Sequence, residues 1–549
     1  MTATQADRGP RAALAAALLI HGLLWLRWMS GAEIPSGSRD EFFLVEVATE
    51  LVFGRHDLTT EQLRGLTLEA YYPPLARLPG MVALALGGGY HAMVASQLPW
   101  AAVLVVAVVG LARRAGGRWT PAIAVALLFA YPAVADATHR FEPNLAATAC
   151  TTAALAAWFA SDDLRDRRAA LVLGLFAGLG LLVDRLGAAP FVVVPVLLSV
   201  VRRRGELRDV AVGVGLAAGA TCAVAGWWYG AFFLPNYLHE LLPQWFGGEV
   251  GARGDLEEVR PPLLLWIGHY LLLWIDSQLG LVAGVVGWFA LAAALLGRLG
   301  ERARDLAACV AGGLLLFTLV AKRQPFYTVP LLPSVAVLSA AALQAWARPI
   351  PGAAGAGVVS AVIIASLLPN AARSGTHPNL PQGALAGWLV GGASPLPESW
   401  IGERFPIGAE PLGLGLDVGG LVQDVARHGT PASAPIAVWS SSSAVSESQL
   451  LSLLRMERRN RAADGVTVNP EWFEQAVPAL GALVTVHPGA QPCGPPDLET
   501  VRREFEIRFG WEDRPALVQA LHAVPTTGTL VRDQLLELDA RLCAWVPAR

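Results

Sequence analysis

The sequence is poor in charged residues. Of its 549 residues only 15% are charged and 54% are hydrophobic, whereas soluble globular domains carry about 25% charged residues. The deficit is uneven, because charges are sparse before residue 370 and return after it. A soluble fold is therefore excluded for the first 370 residues. The chain is expected to pass from lipid into water near that point.

Lysine is almost absent from the sequence. Lys322 is the one lysine among 41 basic residues, and arginine supplies all the others. Together with abundant alanine and glycine, this bias is typical of a GC-rich bacterial genome. The net charge of −3 gives no indication of nucleic-acid binding, so no nucleic-acid partner is expected.

Cysteine is scarce as well. The five cysteines include no CxxC pair, which excludes the commonest zinc-binding spacing. Three of them lie in apolar runs and are interpreted as small core residues. Cys493 and Cys543 follow residue 370, and the sequence leaves a disulfide between them undecided.

Long apolar runs dominate the chain up to residue 370. A membrane-spanning helix needs about 20 apolar residues, and about eleven runs qualify. The run 261–275 is also apolar, but prolines and Asp276 limit it, so we interpret it as interfacial or re-entrant. We therefore predict a polytopic α-helical membrane protein. The predicted spans are 12–30, 92–112, 119–135, 143–160, 169–184, 187–201, 209–232, 277–297, 306–321, 328–346 and 353–369.

Arginine clusters in the short loops predict the orientation. With a cytoplasmic N-terminus all the clusters face inward, as the positive-inside rule requires. Loop 31–78, the connection 136–142 and residues 371–549 then face outward. The expected location is a bacterial inner membrane, with a transmembrane domain over 1–370. The clusters lie at 113–118, 165–168, 202–208 and 298–304.

The outward segment 371–549 alternates strand and helix patterns. Residues 435–440 and 482–487 are predicted strands, and 446–459 and 471–479 are predicted helices. This alternation indicates a small extracytoplasmic α/β domain. It contains no motif that we assign to catalysis.

Loop 31–78 carries acidic residues directly after the first span. Ser38 and Glu41 have the spacing of a helix capping box, which favours a structural role for Glu41. Asp40 is not needed for that box, and a rigid helix start would present its carboxylate at the membrane face. Further along, the segment Tyr71–Leu75 (YYPPL) predicts a stiff extended turn.

Two further charged segments lie at the ends of spans. Asp136, His139, Arg140 and Glu142 fall within seven residues before Pro143, and a solvated loop explains that set as well as a functional cluster does. A second segment, Lys322–Tyr327 (KRQPFY), places two cations on the outer side, against the orientation rule. Such a pair favours a bound anion, for which phosphate is the natural candidate.

The order of these segments resembles that of the GT-C membrane glycosyltransferases. The nearest members are the protein O-mannosyltransferases, the lipid A aminoarabinose transferase and their bacterial relatives. One departure is Asp184-Arg185, which stands where relatives commonly have Thr-Lys. The resemblance is carried by Asp40 after the first span, YYPPL at 71–75, Glu142 before a proline, GLGLLVDR at 178–185, KRQPFYTVPLLP at 322–333, and an outward α/β domain.

The resemblance implies an inverting transfer of a hexose or pentose. The donor would be a polyprenyl-phosphate-linked sugar in the membrane, and the acceptor a hydroxyl on a protein, lipid or glycan at the extracytoplasmic face. The implied residues are Asp40 as general base with Glu142 as a second catalytic residue, Lys322, Arg323 and Arg185 for the donor phosphate, and Glu41, His139, Arg140, Tyr71 and Tyr327 for further substrate contacts.

Three alternatives stay open at this point. Some relatives bind a divalent cation, and Asp40, Glu41 and Glu142 offer suitable oxygens, but the sequence assigns no metal or other cofactor. A lipid flippase would also have many spans, although it commonly shows internal repeats that we do not find here. A non-catalytic membrane scaffold of the same fold is the third alternative.

Overall fold

The fold is known from a computed structural model. It describes residues 8–30, 48, 52, 73–184, 189–235, 270–271, 273–319, 325–350, 352–371, 418–428, 436–440, 450, 454, 465–467, 482–488, 493–494, 525, 529–536 and 540–546.

Helices dominate the described part of the chain up to residue 371. Three short 3₁₀ segments (Pro74–Ala76, Arg204–Glu206 and Pro325–Leu331) and three π-helical turns (Cys222–Gly226, Tyr229–Phe233 and Trp274–Gln278) interrupt them. The α-helices are α1 (Arg8–Met29), α2 (Leu78–Ala85), α3 (Tyr90–Ala95), α4 (Leu98–Ala115), α5 (Thr120–Ala130), α6 (Pro132–His139), α7 (Pro143–Ala160), α8 (Arg167–Val183), α9 (Ala189–Arg202), α10 (Leu207–Thr221), α11 (Leu281–Leu295), α12 (Glu301–Leu319), α13 (Leu332–Ala347) and α14 (Gly352–Ala371).

Every predicted span coincides with at least one of these helices. Among the described residues, four helical segments are long and apolar enough to cross a membrane individually: α1, Tyr90–Ala115, Arg204–Gly226 and Tyr327–Ala347. The bent pair α5–α6 would be a fifth if it is one broken span. The fold fits a polytopic membrane protein, while the count of about eleven spans stays a prediction.

Helix α7 lies at the centre of the bundle. It packs against α4 on one side and α8 on the other, and the 3₁₀ segment Pro325–Leu331 also contacts it. All its residues except Asn144, Ala156 and Ala160 are buried. The sequence is rich in alanine and threonine, and small side chains let neighbouring helices approach closely in a membrane.

Glycine permits the closest backbone contacts between α10 and its neighbours. A Cβ at Gly213 would overlap the carbonyl oxygen of Leu164, and a Cβ at Gly174 of α8 would overlap that of Ala217. By contrast, a Cβ at Gly215 would meet no atom within 4 Å. The two glycines of α10 therefore differ sharply in how much space surrounds them.

An ion-pair network joins the helices at the end of the bundle predicted to face the cytoplasm. In the turn 162–164 three consecutive non-glycine residues have positive φ (49°, 58° and 71°). Arg203 binds both carboxylates of this turn at 2.9 and 3.1 Å, and Arg202 links the turn to the buried Asp305 of α12. Desolvation opposes the charge of Arg203, but the surrounding carboxylates outweigh it and raise its pKa.

The described C-terminal residues form a five-stranded mixed sheet. The strands are β1 (Ile436–Ser440), β2 (Gly465–Thr467), β3 (Ala482–Pro488), β4 (Thr529–Leu536) and β5 (Ala540–Val546). Their order is β2-β1-β3-β5-β4, in which β1 pairs in parallel with β2 and β3 while β5 pairs antiparallel to β3 and β4. Helix α15 (Val418–Arg427) packs on β4 and β5.

The sheet contains both strands predicted from the sequence, at 435–440 and 482–487. Cys493 and Cys543 form a disulfide, with Cα atoms 5.8 Å apart. Leu450 and Leu454, from the predicted helix 446–459, are buried in the core of the sheet, and the predicted helix 471–479 lies outside the described residues. The division into an independent α/β domain from residue 371 stays a prediction.

The close contact at Gly213 yields a stability prediction. We expect Gly213→Val to destabilise the protein by about 1–3 kcal/mol or more, because the added side chain meets backbone that has no room to move. Gly215→Val on the same helix is the matched control and should be neutral. Thermal unfolding of the detergent-solubilised protein measures both; equal melting temperatures for the two variants would contradict the packing described.

Candidate active site

The chain folds back over one end of the bundle between residues 131 and 143. Helices α5 and α6 meet at 69°. Pro132 opens α6 and cannot continue α5, and it holds the preceding Tyr131 in an extended conformation (φ −71°, ψ 123°). Glu142 is again extended before Pro143 opens α7. Most of the predicted connection 136–142 is therefore helical.

The charged residues of this segment form a buried cluster. Arg140 Nε donates to Asp136 Oδ1 at 2.8 Å, and Arg140 Nη1 lies 3.9 Å from Glu142 Oε1. Asp136, Arg140 and Glu142 are each less than 9% exposed. The solvated-loop interpretation is therefore wrong for these three side chains, since α6 turns them into the protein.

Glu142 is held from two further directions. Asn144 Nδ2 donates to Glu142 Oε2 at 2.6 Å. Gln97, at the start of α4, donates from Nε2 to the Glu142 carbonyl oxygen at 3.0 Å and lies 3.5 Å from that of Arg140. The position of the Glu142 carboxylate is thus fixed through both its side chain and its backbone.

One face of α1 docks on α6. Trp25 Nε1 donates to the Thr138 carbonyl oxygen at 3.0 Å. The Trp28 ring stacks on His139 with centroids 4.6 Å apart and an interplanar angle of 17°. The C-terminal end of α1, which precedes Asp40 by 11 residues (Met29 to Asp40), is therefore fixed beside the charged cluster.

The YYPPL motif ends beside the same charged segment. Its last residue, Leu75, packs against a cluster formed by Ala146, Ala147 and Val183, and the following Ala76 is buried with Trp28 and Phe141. Arg77 comes next and is only 1% exposed. The motif thus connects the end of α1, the end of α8 and the segment that carries the charged cluster.

The 3₁₀ segment Pro325–Leu331 also reaches this end of the bundle. It begins two residues after Arg323 and packs against α6 and α7. Thr328 Oγ1 donates to Gln278 Oε1 at 2.9 Å, which fixes the segment to the π-helical turn before α11. The Tyr327 ring stacks on Phe317 at 5.5 Å, inside the bundle.

The structure brings together part of the predicted site. Glu142, Arg140 and His139 lie within one segment: Gln97 lies against the first two, and His139 stacks on Trp28. Tyr327 instead stacks on α12. The predicted residues that lie outside the described part of the chain are Asp40, Glu41, Tyr71, Arg185, Lys322 and Arg323.

Sequence reasoning missed several residues of the cluster. Asp136 was noticed only as one charge in a mixed loop, and Gln97 not at all. The available signal for Gln97 was an isolated amide inside an apolar run. Trp25 and Trp28 were also missed, although their spacing places them on one helix face.

The described residues provide no ready-made metal site. No group of three or more His, Cys, Asp or Glu side chains among them is placed to hold a metal ion. What the arrangement does offer is a fixed carboxylate beside a guanidinium at one end of a helical bundle. Such preorganised charge can stabilise charge that develops on a reacting group.

Comparison with known proteins identifies the fold. No protein-family model matches the sequence, and no curated protein matches it significantly. The crystal structure of ArnT from Cupriavidus metallidurans bound to undecaprenyl phosphate is similar at a TM-score of 0.57 and 15% identity, over 96% of this chain and 97% of that chain. The apo form of the same protein gives a TM-score of 0.53 at 15% identity and the same coverage.

A more distant likeness is to the archaeal oligosaccharyltransferase AglB from Archaeoglobus fulgidus, in complex with an inhibitory peptide and a dolichol-phosphate. Its TM-score is 0.47 at 11% identity, over 93% of this chain and 72% of that chain. The likeness to ArnT extends over nearly the whole of both chains. This likeness shows that the two chains share a fold, which agrees with the fold that the sequence motifs predicted.

The charged cluster yields the second prediction. Asp136→Ala would leave the buried Arg140 without its shortest ion pair, and we expect a loss of about 3–5 kcal/mol of stability. Asp209→Ala removes an exposed carboxylate from α10 and should cost less than about 1 kcal/mol. Thermal unfolding of both purified variants tests this; an Asp136→Ala protein as stable as the control would show that the ion pair is dispensable.

Proposed function

We propose that this chain is a membrane glycosyltransferase that uses a polyprenyl-phosphate-linked sugar donor. The proposal assigns a hexose or pentose as the sugar, an acceptor hydroxyl at the extracytoplasmic face, and inversion at the anomeric carbon. The observation that carries it is the convergence of separate motif segments on the Asp136–Arg140–Glu142 cluster of a GT-C fold. ArnT, which has this fold, is bound to undecaprenyl phosphate in its crystal structure, and that supports a donor carrier of this class.

The proposed reaction is a single displacement. The acceptor oxygen forms a bond to the anomeric carbon while its proton moves to the Asp40 carboxylate. The bond between the anomeric carbon and the phosphate oxygen breaks, and its electron pair leaves with the lipid phosphate. Attack from the face opposite the phosphate inverts the configuration. A positioned general base typically contributes about 10²–10⁴-fold to the rate.

Asp40 is the proposed base because of where the preceding helix, α1, ends. Trp25 and Trp28 fix the C-terminal end of α1 on α6, and Asp40 follows Met29 by only 11 positions. Eleven residues reach at most about 40 Å when fully extended, and less when turned. The end of α1 that precedes Asp40 and the segment that carries Glu142 thus lie at the same end of the bundle.

Fixed cations would stabilise the leaving phosphate. Lys322 and Arg323 lie just before the 3₁₀ segment that packs on α6 and α7, with Gln324 between them and its first residue. Arg185 follows Asp184, the C-cap of α8. The 3₁₀ segment and α8 both contact α7, and Glu142 is the residue just before the first residue of α7. Lysine and arginine bind phosphate oxygens through charge-assisted hydrogen bonds, and these strengthen as charge develops on the leaving group.

Glu142 would act on the sugar itself. Its carboxylate is oriented by Asn144 and lies near Arg140, so its position is set before substrate binds. A fixed carboxylate stabilises the positive charge that develops at the anomeric carbon in glycosyl transfer. His139, Arg140, Glu41, Tyr71 and Tyr327 are the proposed further contacts to substrate.

The main alternative is a lipid flippase on the same fold. A flippase would move the intact lipid across the membrane, whereas the proposed enzyme breaks the bond between sugar and phosphate. The buried carboxylates beside Arg140 favour the transferase, because lipid movement has no need of a preorganised charge pair at one fixed point. A non-catalytic scaffold would bind the donor without consuming it.

The third prediction tests the base. We expect Asp40→Asn to reduce sugar transfer by about 10²-fold or more, with unchanged expression and melting temperature. Release of polyprenyl phosphate from a radiolabelled lipid-linked sugar in membranes measures transfer. Asp209→Asn is the control for loss of an exposed carboxylate. Full activity of the Asp40→Asn variant, or transport of intact lipid by the wild type without bond cleavage, would end the proposal.

The fourth prediction concerns the donor phosphate. Lys322→Ala should weaken binding of undecaprenyl phosphate about 10-fold or more, since hydrogen bonds to charged groups contribute about 1.5–3 kcal/mol. Arg304→Ala removes an exposed cation at the other end of the bundle and is the control. Direct binding titrations with the purified protein measure both; equal affinities would remove Lys322 from the phosphate site.

A further inference from the structure

Phe141 is a fully buried aromatic residue that separates Arg140 from Glu142 in the chain. Both charged neighbours have extended backbone (φ −120°, ψ 153° and φ −123°, ψ 157°). Successive side chains of an extended chain point to opposite sides. Arg140 and Glu142 accordingly face each other, with Nη1 and Oε1 3.9 Å apart, while Phe141 is buried in an apolar cluster. The position of the ring therefore helps to set the direction of both charged groups.

The apolar cluster around Phe141 collects side chains from four separate segments. They come from the end of α1, from residue 48 in loop 31–78, from the stretch 76–84 that includes most of α2, and from α3. We call this cluster the Phe141 socket. Its other buried members are Trp28, Ala48, Ala76, Leu84, Tyr90, Met93 and Val94. The ring thus lies where several parts of the chain meet.

Gly80 of α2 forms the closest wall of the socket. A Cβ at this position would overlap Cζ and Cε2 of the Phe141 ring and would also meet Cε of Met93. The ring therefore lies directly against the α2 backbone, in space that the side chain of any other residue would fill. The end of a methionine side chain is flexible and can move. A packed ring has no such freedom, so an added methyl group would displace it together with its backbone.

Gln97 holds the backbone on both sides of Phe141. Its Nε2 donates to the Glu142 carbonyl oxygen at 3.0 Å and lies 3.5 Å from that of Arg140. Gln97 is itself only 4% exposed, so water does not compete for these contacts. The peptide groups that flank the ring are therefore fixed from one direction, and the ring is fixed by the socket. A displaced ring would strain both sets of contacts and move the Glu142 carboxylate.

The socket also contains residues from both sides of Asp40 in the sequence. Trp28 belongs to the end of α1 that precedes Asp40, and Ala48 follows Asp40 by eight positions. Both are buried in the socket. Trp28 also stacks on His139, two residues before Phe141. Residues that flank Asp40 and the residue next to Glu142 are therefore packed within one cluster of side chains.

We propose that Phe141 and Gly80 are positioning residues for sugar transfer, and that the Phe141 socket sets the Glu142 carboxylate relative to the segment that carries Asp40. The inference rests on the proposed transferase function. Neither positioning residue touches substrate: Phe141 acts through Glu142, and Gly80 leaves room for the ring. A displacement of about 1 Å can reduce a rate about 100-fold. Binding of the donor phosphate involves other segments and should not depend on the socket.

Three variants of the full chain and one control test the positioning role. Gly80→Ala adds the methyl group that overlaps the ring, and Phe141→Leu removes the Cζ and Cε2 atoms that it overlaps. The double variant combines the added methyl with the space that leucine leaves. Gly89→Ala is the matched control, because a Cβ there meets no atom within 4 Å and its φ of −113° suits alanine. Transfer from a radiolabelled lipid-linked sugar gives kcat and the KM for the donor.

We expect Gly80→Ala to lower kcat about 10- to 100-fold with an unchanged KM for the donor. Phe141→Leu alone should also lower kcat, because the ring no longer fills the socket. The double variant should recover most of the activity that each single change removes, and Gly89→Ala should behave as wild type. All rates are measured below the melting temperature and per folded protein. A merely structural role would lower the melting temperature and leave kcat of the folded protein unchanged.

Full kcat of the folded Gly80→Ala variant, or a loss confined to the KM for the donor, would overturn the positioning role. If Gly80→Ala does not fold, Phe141→Leu decides. An unchanged kcat of that variant, or a fall that the added Gly80→Ala does not reverse, overturns the proposal, and a reversed fall supports it. A wild-type protein that transfers no sugar rejects the transferase function and this role with it. Transfer by wild type and by all variants alike rejects the positioning role alone.

Discussion

The arrangement at the α6 end of the bundle depends on one buried guanidinium. Arg140 is almost completely removed from solvent and lies between the carboxylates of Asp136 and Glu142. An unpaired charge in such a position would be strongly unfavourable, so the three groups must assemble together. The bend between α5 and α6 makes this assembly possible, because it places residues 136–142 beside the start of α7. The docking of α1 and the amide of Gln97 then fix the segment from outside.

The same constraint explains how separate parts of the sequence come to share one place. Helix α1, the end of YYPPL, the end of α8 and the 3₁₀ segment after Arg323 each pack on α6 or α7 or on a neighbour of these helices. None of these contacts is local in sequence: Gln97 binds carbonyl groups 43 and 45 residues further along the chain. A helical bundle brings such distant segments together at its ends, where the helices stop and their connections meet.

Much of the helical layout followed from the sequence because a bilayer imposes a simple rule on composition. A spanning helix must be apolar for about 20 residues, so the run 143–160 predicted α7 at the same boundaries. The strands at 436–440 and 482–488 were likewise visible as short β-branched runs. Burial of Asp136, Arg140 and Glu142 was not predictable in this way, since it depends on a 69° bend and on partners from α1 and α4. The Tyr131-Pro132 step was the only local sign of that bend.

The disulfide between Cys493 and Cys543 has a consequence for biosynthesis. It links the chain just after β3 to the middle of β5, and such bonds form and persist mainly in oxidising compartments. If the C-terminal sheet matures outside the cytoplasm, this covalent link closes only after the preceding helices have been inserted. Its formation would then mark the moment of translocation, and the ratio of free thiol to cystine in newly made protein would report which side of the membrane the chain end has reached.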